Sequence, residues 1–304
     1  MDMKLRYNKY SEYIKKKWGH RVQKITVDAG FTCPNRDGTR GVDGCIYCNN
    51  ESFSPSHRTS LSLKEQIEKG IELSKRRYKT DKYFVYFQSY SNTYAPLDKL
   101  KKLYEEALSF KGVIGLAIGT RPDCVDERIL DYISSLAKNY DITLELGIES
   151  TYNTTLNKIN RGHDYQALLK ALKMTEERDL DVCAHLILGF PFETKEQWLN
   201  MATIISKLPI KYLKLHQLQI IKNTKLQLDF EKEPFSTFNE DEYMDIAIKF
   251  LELLNKKIII QRLIGESSSR FLIAPIWNLT SAAFNEKILK KMEQIDTWQG
   301  RLYT

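Results

Sequence analysis

Six times in succession a short run rich in β-branched and aromatic residues is followed by amphipathic helical spacing or a loop, and this alternation constrains the fold of the chain more than anything else in it. The strand-like runs cover 24–28, 83–88, 113–119, 142–149, 181–188 and 210–218. Helical spacing fills 63–77, 126–138, 165–178 and 195–207, with Ile129, Ile133 and Leu136 on one face of the second. Repeated strand–helix units imply parallel strands joined by right-handed crossovers. Six units fall short of the eight that close a (β/α)8 barrel. The chain is therefore expected to be α/β, as a partial TIM-like barrel or an open doubly wound sheet. Either architecture binds ligands at the carboxyl ends of its strands.

Capping residues agree with these boundaries. Asp126 precedes one helix, and Thr194 with Gln197 three residues later has the capping-box pattern. Beyond Lys222 the alternation loosens. Residues 223–238 read as loop, and 239–255 as a helix with Ile246, Phe250 and Leu254 in line. A seventh strand is expected over 258–264 and a last helix over 284–292.

Of the 304 residues, 42% are hydrophobic and 28% charged, which excludes disorder and low-complexity architectures. No apolar run reaches the 18 residues of a membrane span, and the polar N-terminus lacks a signal-peptide core, so a cytoplasmic protein without a membrane partner is expected. The net charge of +7 is concentrated. Lys4, Arg6, Lys9, Lys15, Lys16, Lys17, Arg21 and Lys24 fall within the first 24 residues, against Asp2 and Glu12. Such an arm suits either a solvated helix face or a polyanion such as RNA.

The five cysteines are an odd number in a chain expected to be cytoplasmic, which disfavours a disulfide framework. Cys33, Cys45 and Cys48 stand in C-x11-C-x2-C spacing on a loop after the first strand, made pliant by Gly38, Gly41 and Gly44. Three thiolates there can hold an iron–sulfur cluster with one iron left open. They can also hold a structural zinc, with His57 as the nearest fourth ligand.

With this loop at the mouth of a six-unit β/α chain, the sequence resembles the radical S-adenosylmethionine (SAM) superfamily. It resembles most the branch of the Elongator catalytic subunit, and within it the bacterial YtqA/YhcC type. The likeness runs from about Tyr10 to Leu272 and implies a partial (β/α)6 TIM-like barrel. It further implies a basic arm over 1–20, a radical SAM core over 21–235 and a C-terminal extension packed on the barrel over 236–304. By the resemblance, Cys33, Cys45 and Cys48 ligate a [4Fe-4S] cluster whose free iron binds SAM, and reductive cleavage of SAM yields a 5′-deoxyadenosyl radical. Tyr47 precedes the last cysteine. Gln88 stands where the family often has a Gly-Gly-Glu stretch, and those residues are absent here. Thr120 and Arg121 belong to a Thr-Arg-Pro-Asp element. Glu145, Glu149 and Ser150 resemble the ribose and methionine contacts. Arg161 lies in an Arg-Gly-His element and can pair the SAM carboxylate. Gly189 and Phe190 are expected near adenine, and Gln219 ends the sixth strand.

The same branch modifies carbon 5 of the tRNA wobble uridine. The resemblance therefore implies tRNA as partner and an electron donor such as flavodoxin or ferredoxin. The implied reaction is the trimming of a carboxymethylaminomethyl group toward the aminomethyl form. Lys15–Lys17 with Lys75, Arg76, Arg77 and Lys79 are candidate phosphate contacts. Tyr10, Tyr13 and Trp18 are candidate stacking residues. Tyr90, Asn92, Tyr94, His185, Lys214, His216 and Arg270 are candidate substrate contacts, while Cys124 and Cys183 read as plain thiols. A small-molecule substrate, or a non-catalytic zinc-containing RNA-binding module, remains open at this point.

Overall fold

A computed structural model describes residues 5–54, 56–57 and 59–304, so Asp2 and Lys4 of the basic arm lie outside the described residues. In chain order the elements are α1 (Tyr10–Trp18), β1 (Gln23–Val27), α2 (Leu63–Tyr78), β2 (Tyr83–Phe87), α3 (Leu97–Leu108), β3 (Val113–Thr120), α4 (Glu127–Ala137), β4 (Asp141–Glu149), α5 (Asn153–Lys158), α6 (Tyr165–Glu176), β5 (Asp181–Leu188), α7 (Lys195–Ile205), β6 (Tyr212–Gln217), β7 (Ile220–Ile221), α8 (Lys225–Lys232), α9 (Glu240–Leu253), β8 (Ile259–Arg262), β9 (Leu272–Ala274) and α10 (Ser281–Gln294). The sheet runs β1-β2-β3-β4-β5-β6-β8, and every neighbouring pair is parallel. It is a partial barrel with one strand more than the six repeated units, because the expected seventh strand joins its edge. β7 and β9 form a separate antiparallel pair.

Alternation along the strands sorts the side chains. Leu146, Leu186, Leu188, Leu213 and Leu215 face outward into one core with residues of α6, α7, α9 and α10. Val85, Phe87, Leu116, Ile118 and Leu144 face a second core built with α2, α3 and α4. Each such side chain contributes roughly 1.5–3 kcal/mol on burial. The alternate positions point inward, and there the sequence places Glu145, His185 and Lys214, which are polar groups in otherwise apolar strands. The caps form as the sequence indicates: Asp126 accepts from the Ile129 amide at 2.8 Å, and Thr194 with Gln197 makes a reciprocal box.

Two elements correct the sequence reading. The segment 223–238 is not all loop. Thr224 caps α8, whose Leu226 is buried against Ile46 and Leu156. The aromatic residues of the arm are not free to stack on bases. Tyr10 and Tyr13 pack their rings 5.5 and 5.9 Å from Tyr212, beside Cys183 and Ile259. Trp18 donates to Asp141 at 3.3 Å, and Lys17 pairs with the same carboxylate at 2.6 Å. Helix α1 thus lies across the N-terminal ends of the strands and stoppers the barrel from below, while Lys15 and Lys16 stay exposed.

Candidate active site

The 33–48 loop leaves β1 at the carboxyl end of the sheet and folds back under its own polar side chains. Asn35 donates to the Asn160 carbonyl at 2.5 Å, and Asn160 donates to the Gly44 carbonyl at 2.8 Å, which fastens the loop to the turn after α5. Gly44 has φ +73°, a left-handed conformation that favours glycine, and a Cβ there would also displace the Arg36 guanidinium, 2.7 Å away. Arg36 in turn donates to the Cys48 carbonyl at 2.6 Å.

Cys33, Cys45 and Cys48 line one cavity of about 230 Å³ with Tyr47, Gln88, Thr120, Arg121, Glu149, Arg161 and Gln219. Every sulfur has an N–H donor beside it. Arg121 reaches Cys33 at 3.9 Å, Asn35 and Arg161 reach Cys45 at 3.8 and 3.6 Å, and Asn50 reaches Cys48 at 3.8 Å. Such donors stabilise anionic sulfur and hold cluster ligands in place. Burial, reinforced by Cys45, pushes the Cys48 thiol up to about 11, so it needs a metal to ionise near neutrality. Among the described residues, only Glu145, Cys183 and His185 bring three potential ligand atoms within 4.8 Å of one another. The three loop sulfurs form no such group, so at least one pair stands more than 4.8 Å apart, wider than two sulfurs bonded at about 2.3 Å to one zinc. That spacing, with its N–H donors, fits a polynuclear cluster better than one ion.

Two buried arginines sit on this loop. Arg121 holds Asp123 in a two-pronged pair at 2.8 and 2.9 Å. Arg161 donates to the Gly147 carbonyl at 2.6 Å and lies 3.6 Å from Glu149, while its Nε is buried with no partner. Gly147 makes this possible, because a Cβ there would meet Glu149 Oε1 at 2.6 Å and Arg161 Nη2 at 2.8 Å. The β4–β5 register shifts between Gly147 and Glu149, and Glu149 adopts φ +67°, a left-handed conformation that costs of order 1–3 kcal/mol and is maintained where the surroundings demand it. Burial holds the Glu149 carboxyl above its ordinary range despite Arg161 and a hydrogen bond from Tyr47.

Deeper in the barrel, Glu145 is fully buried at the centre of an ion cluster. Its oxygens accept from Lys24 at 2.6 Å, from His185 at 3.0 Å and from Lys214. Burial alone would raise this carboxyl, and Lys214, Lys24 and His185 instead hold it well below the carboxylate range. Glu145 lines the cavity but is committed to these partners rather than to a ribose. Ser150, Gly189 and Phe190 do not line it at all. Ser150 donates to Glu193 at 2.6 Å, which makes it a support of the turn after β4, and Phe190 backs Tyr47 at 6.0 Å between ring centres. Of the substrate candidates, Tyr90, His185, Lys214 and His216 line the cavity. Asn92 is fully buried, bonding the Phe87 and Gly119 carbonyls, and Tyr94 bonds Thr39 on the loop. Arg270 is exposed and lies over its neighbour Phe271, whereas Arg262, which sequence reasoning missed, lines the cavity from β8.

Residues 32–205 match the model of the radical SAM superfamily, and residues 210–294 match that of a radical SAM C-terminal domain. The uncharacterized protein MJ0486 of Methanocaldococcus jannaschii is 37% identical over 97% of this chain and 91% of its own length. YtqA of Bacillus subtilis, also uncharacterized, is 29% identical over 98% of this chain and 93% of its own. A tRNA uridine(34) acetyltransferase of Methanocaldococcus infernus is 25% identical over 55% of this chain and 31% of its own length. Among solved structures, Elp3 of M. infernus, lacking its first 46 residues, superposes with a TM-score of 0.68 at 20% identity. The superposition covers 91% of this chain and 64% of that one, which shows a shared fold. No helix among the described residues is long and apolar enough to cross a membrane.

Proposed function

The chain belongs to the radical SAM superfamily, and from that premise we propose that it is an enzyme of tRNA modification that remodels the side chain on carbon 5 of the wobble uridine. Enzymes of this family bind a [4Fe-4S] cluster and SAM, and they draw on an electron donor. When bound, the two cofactors supply one-electron cleavage of the sulfonium bond and a radical that abstracts hydrogen from the substrate.

The chain's own residues bind, orient and shield. Cys33, Cys45 and Cys48 are assigned as the cluster ligands, with Arg121, Asn35, Arg161 and Asn50 offsetting their charge. Arg161 is assigned to the SAM carboxylate, since its Nε has a hydrogen-bonding demand that nothing else meets. Glu149, turned into the cavity by its left-handed backbone, is the acceptor for SAM's hydroxyl or ammonium protons. Tyr47, backed by Phe190, walls the cavity on its loop side, while Gln88, Thr120 and Gln219 supply polar contacts along it. The domain reading assigns cofactor binding to 21–235, and 236–304 adds β8 to the same sheet.

The observation that carries the cofactor assignment is the convergence of three donor-flanked thiols and a half-satisfied buried arginine on one cavity at the carboxyl ends of the strands. The tRNA reading is supported by the partial likeness to the tRNA uridine(34) acetyltransferase. It is supported too by the exposed Lys15, Lys16, Lys75, Arg76, Arg77 and Lys79. These cations surround the opposite end of the barrel, so they suit the body of a large polyanion whose single nucleoside enters the cavity. The specific reaction proposed is the trimming of carboxymethylaminomethyluridine to aminomethyluridine, with flavodoxin or ferredoxin as reductant. Transfer RNA from a strain lacking the gene should accumulate the carboxymethylaminomethyl nucleoside. Reconstituted protein with dithionite and SAM should then convert it in vitro. Unchanged nucleoside profiles in both experiments overturn the tRNA reading.

A further inference from the structure

The cavity ends on a floor that the cofactor roles leave unused. Lys214, Arg262 and Glu145 line it, and Lys24 lies behind it, bound to Glu145. Both ammonium groups are bound to Glu145. Arg262 is half-buried, lines the cavity and is held by no hydrogen bond or ion pair among the described residues. His216 is beside it, with an inaccessible Nε2 that has no partner. Burial, then Lys214, push the His185 ring down to about 4, and burial with Arg262 lowers His216 as well, so both rings are neutral near pH 7. Lys24, Lys214 and Arg262 against Glu145 leave the floor net positive, while Glu266, which also lines the cavity, is exposed and accepts from the Ser281 amide.

Strand geometry delivers Arg262 to this place. Tyr212 pairs with Ile259 and Leu213 with Ile260, but Lys214 pairs with Arg262, so Gln261 is an extra residue in a β-bulge. Ile259 faces inward against Tyr212, and Ile260 faces the outer core. Gln261 turns inward to accept from Lys24 at 3.0 Å. Without the bulge, strict alternation through Gln261 would point Arg262 outward. The bulge puts two consecutive polar side chains inside the barrel.

We propose that this floor is an anion subsite, in which Arg262 receives a carboxylate carried by the substrate beside the neutral His216 ring. The free donor is one guanidinium fork, whose two parallel N–H groups match the two oxygens of a carboxylate and leave a phosphate's third oxygen unserved. The alternative occupant is a metal ion at Glu145, Cys183 and His185, whose ligand atoms lie within 4.8 Å of one another. That site would set a dication beside two ammonium groups and a guanidinium, with the Cys183 thiol pushed up to about 12 by burial and Glu145. The charge of the floor favours an anion. The proposal rests on the reading of the cavity as the reaction site and adds that the group presented there is acidic.

Ligand-observed NMR on the cluster-reconstituted, SAM-loaded protein tests it with acetate, acetamide and inorganic phosphate. Acetate should bind at least tenfold more tightly than acetamide and more tightly than phosphate. Arg262→Gln should abolish that preference, and Arg262→Lys should restore part of it, while SAM affinity stays unchanged as a check on folding. Should Arg262→Gln not fold, Arg262→Met gives the same readout. Acetate binding that is absent, matched by acetamide or indifferent to these substitutions overturns the subsite, as does phosphate binding in its place. A parallel titration compares 5-carboxymethylaminomethyluridine with 5-aminomethyluridine. Arg262-dependent acetate binding without nucleoside binding keeps the subsite and sinks only the wobble-uridine reading.

Discussion

Replacing Glu145 with glutamine removes the one carboxylate that three buried groups share. The Glu145 side chain has no exposed surface, Lys214 is 7% exposed and Lys24 22%. Among the described residues neither ammonium has another carboxylate in reach. Lys24 keeps Gln261 at 3.0 Å and Lys214 keeps Tyr86 at 3.4 Å, both neutral. Breaking a buried ion pair from one side costs about 3–5 kcal/mol, because the stranded charge is left in a poor solvent. Against a typical stability of about 5–15 kcal/mol, that is a large loss. At about 2–4 °C per kcal/mol, the melting temperature should fall by roughly 6–20 °C. The matching double variant, Glu145→Gln with Lys214→Met, removes the charge that the first substitution strands and should recover more than half of the loss. Urea unfolding of the two variants and the wild type, in one buffer near pH 7, measures both effects. A single variant within about 1 kcal/mol of wild type, or a double variant no better than the single, would refute the account of this cluster.

Acid should begin to destabilise the protein below pH 6.5 through histidines that burial holds neutral. The folded-state pKa of His185 lies at about 4 against 6.5 for the free side chain, so the unfolded chain binds the extra proton first. Its contribution, roughly 3 kcal/mol, is complete above pH 6.5 and disappears as pH falls toward 4, and the slope of urea midpoints between pH 4.5 and 7 should fall in His185→Asn by that share, the remainder belonging to His163 and His216, whose rings burial also lowers. Arg161→Gln should weaken SAM binding by about tenfold or more while most of the iron is retained, since Asn35 still donates to Cys45, and Arg161→Lys should not rescue it, because lysine lacks the guanidinium's fixed fork; equilibrium dialysis with labelled SAM decides this. Tyr13→Ala should lower stability by about 2 kcal/mol or more through the barrel stopper while leaving tRNA affinity and its salt slope intact. Replacing Lys15 and Lys16 by glutamine should do the reverse in a filter-binding titration.

Much of this architecture was legible because its signals are local. The β-rich runs, the caps at Asp126 and Thr194 and the three-cysteine loop each lie within a dozen or so residues, and the strands start and stop within two or three residues of the pattern. The helix Leu97–Leu108 was overlooked although its apolar spacing is plain. What escaped reading depends on contacts between distant parts of the chain. Lys24, Glu145 and Lys214 carry no mutual mark in sequence, yet they meet at the barrel centre. Tyr10 and Tyr13 look like surface aromatics on a basic helix until β6 and β8 provide an apolar seat. Arg262 was passed over for Arg270 because a bulge, which leaves no pattern in one sequence, decides which arginine faces inward. Ser150 follows β4 as the pattern indicates, but Glu145 lies in the middle of that strand, and the partners of both carry no mark in the sequence.

The central claim is that the 33–48 loop grips a [4Fe-4S] cluster with one iron left for SAM. Electron paramagnetic resonance of anaerobically reconstituted, dithionite-reduced protein tests it directly. The account predicts about four irons and four sulfides per chain, and a signal that changes when SAM is added. It also predicts that Cys48→Ser loses that signal. A colourless zinc protein, or a cluster whose spectrum ignores SAM, would contradict it.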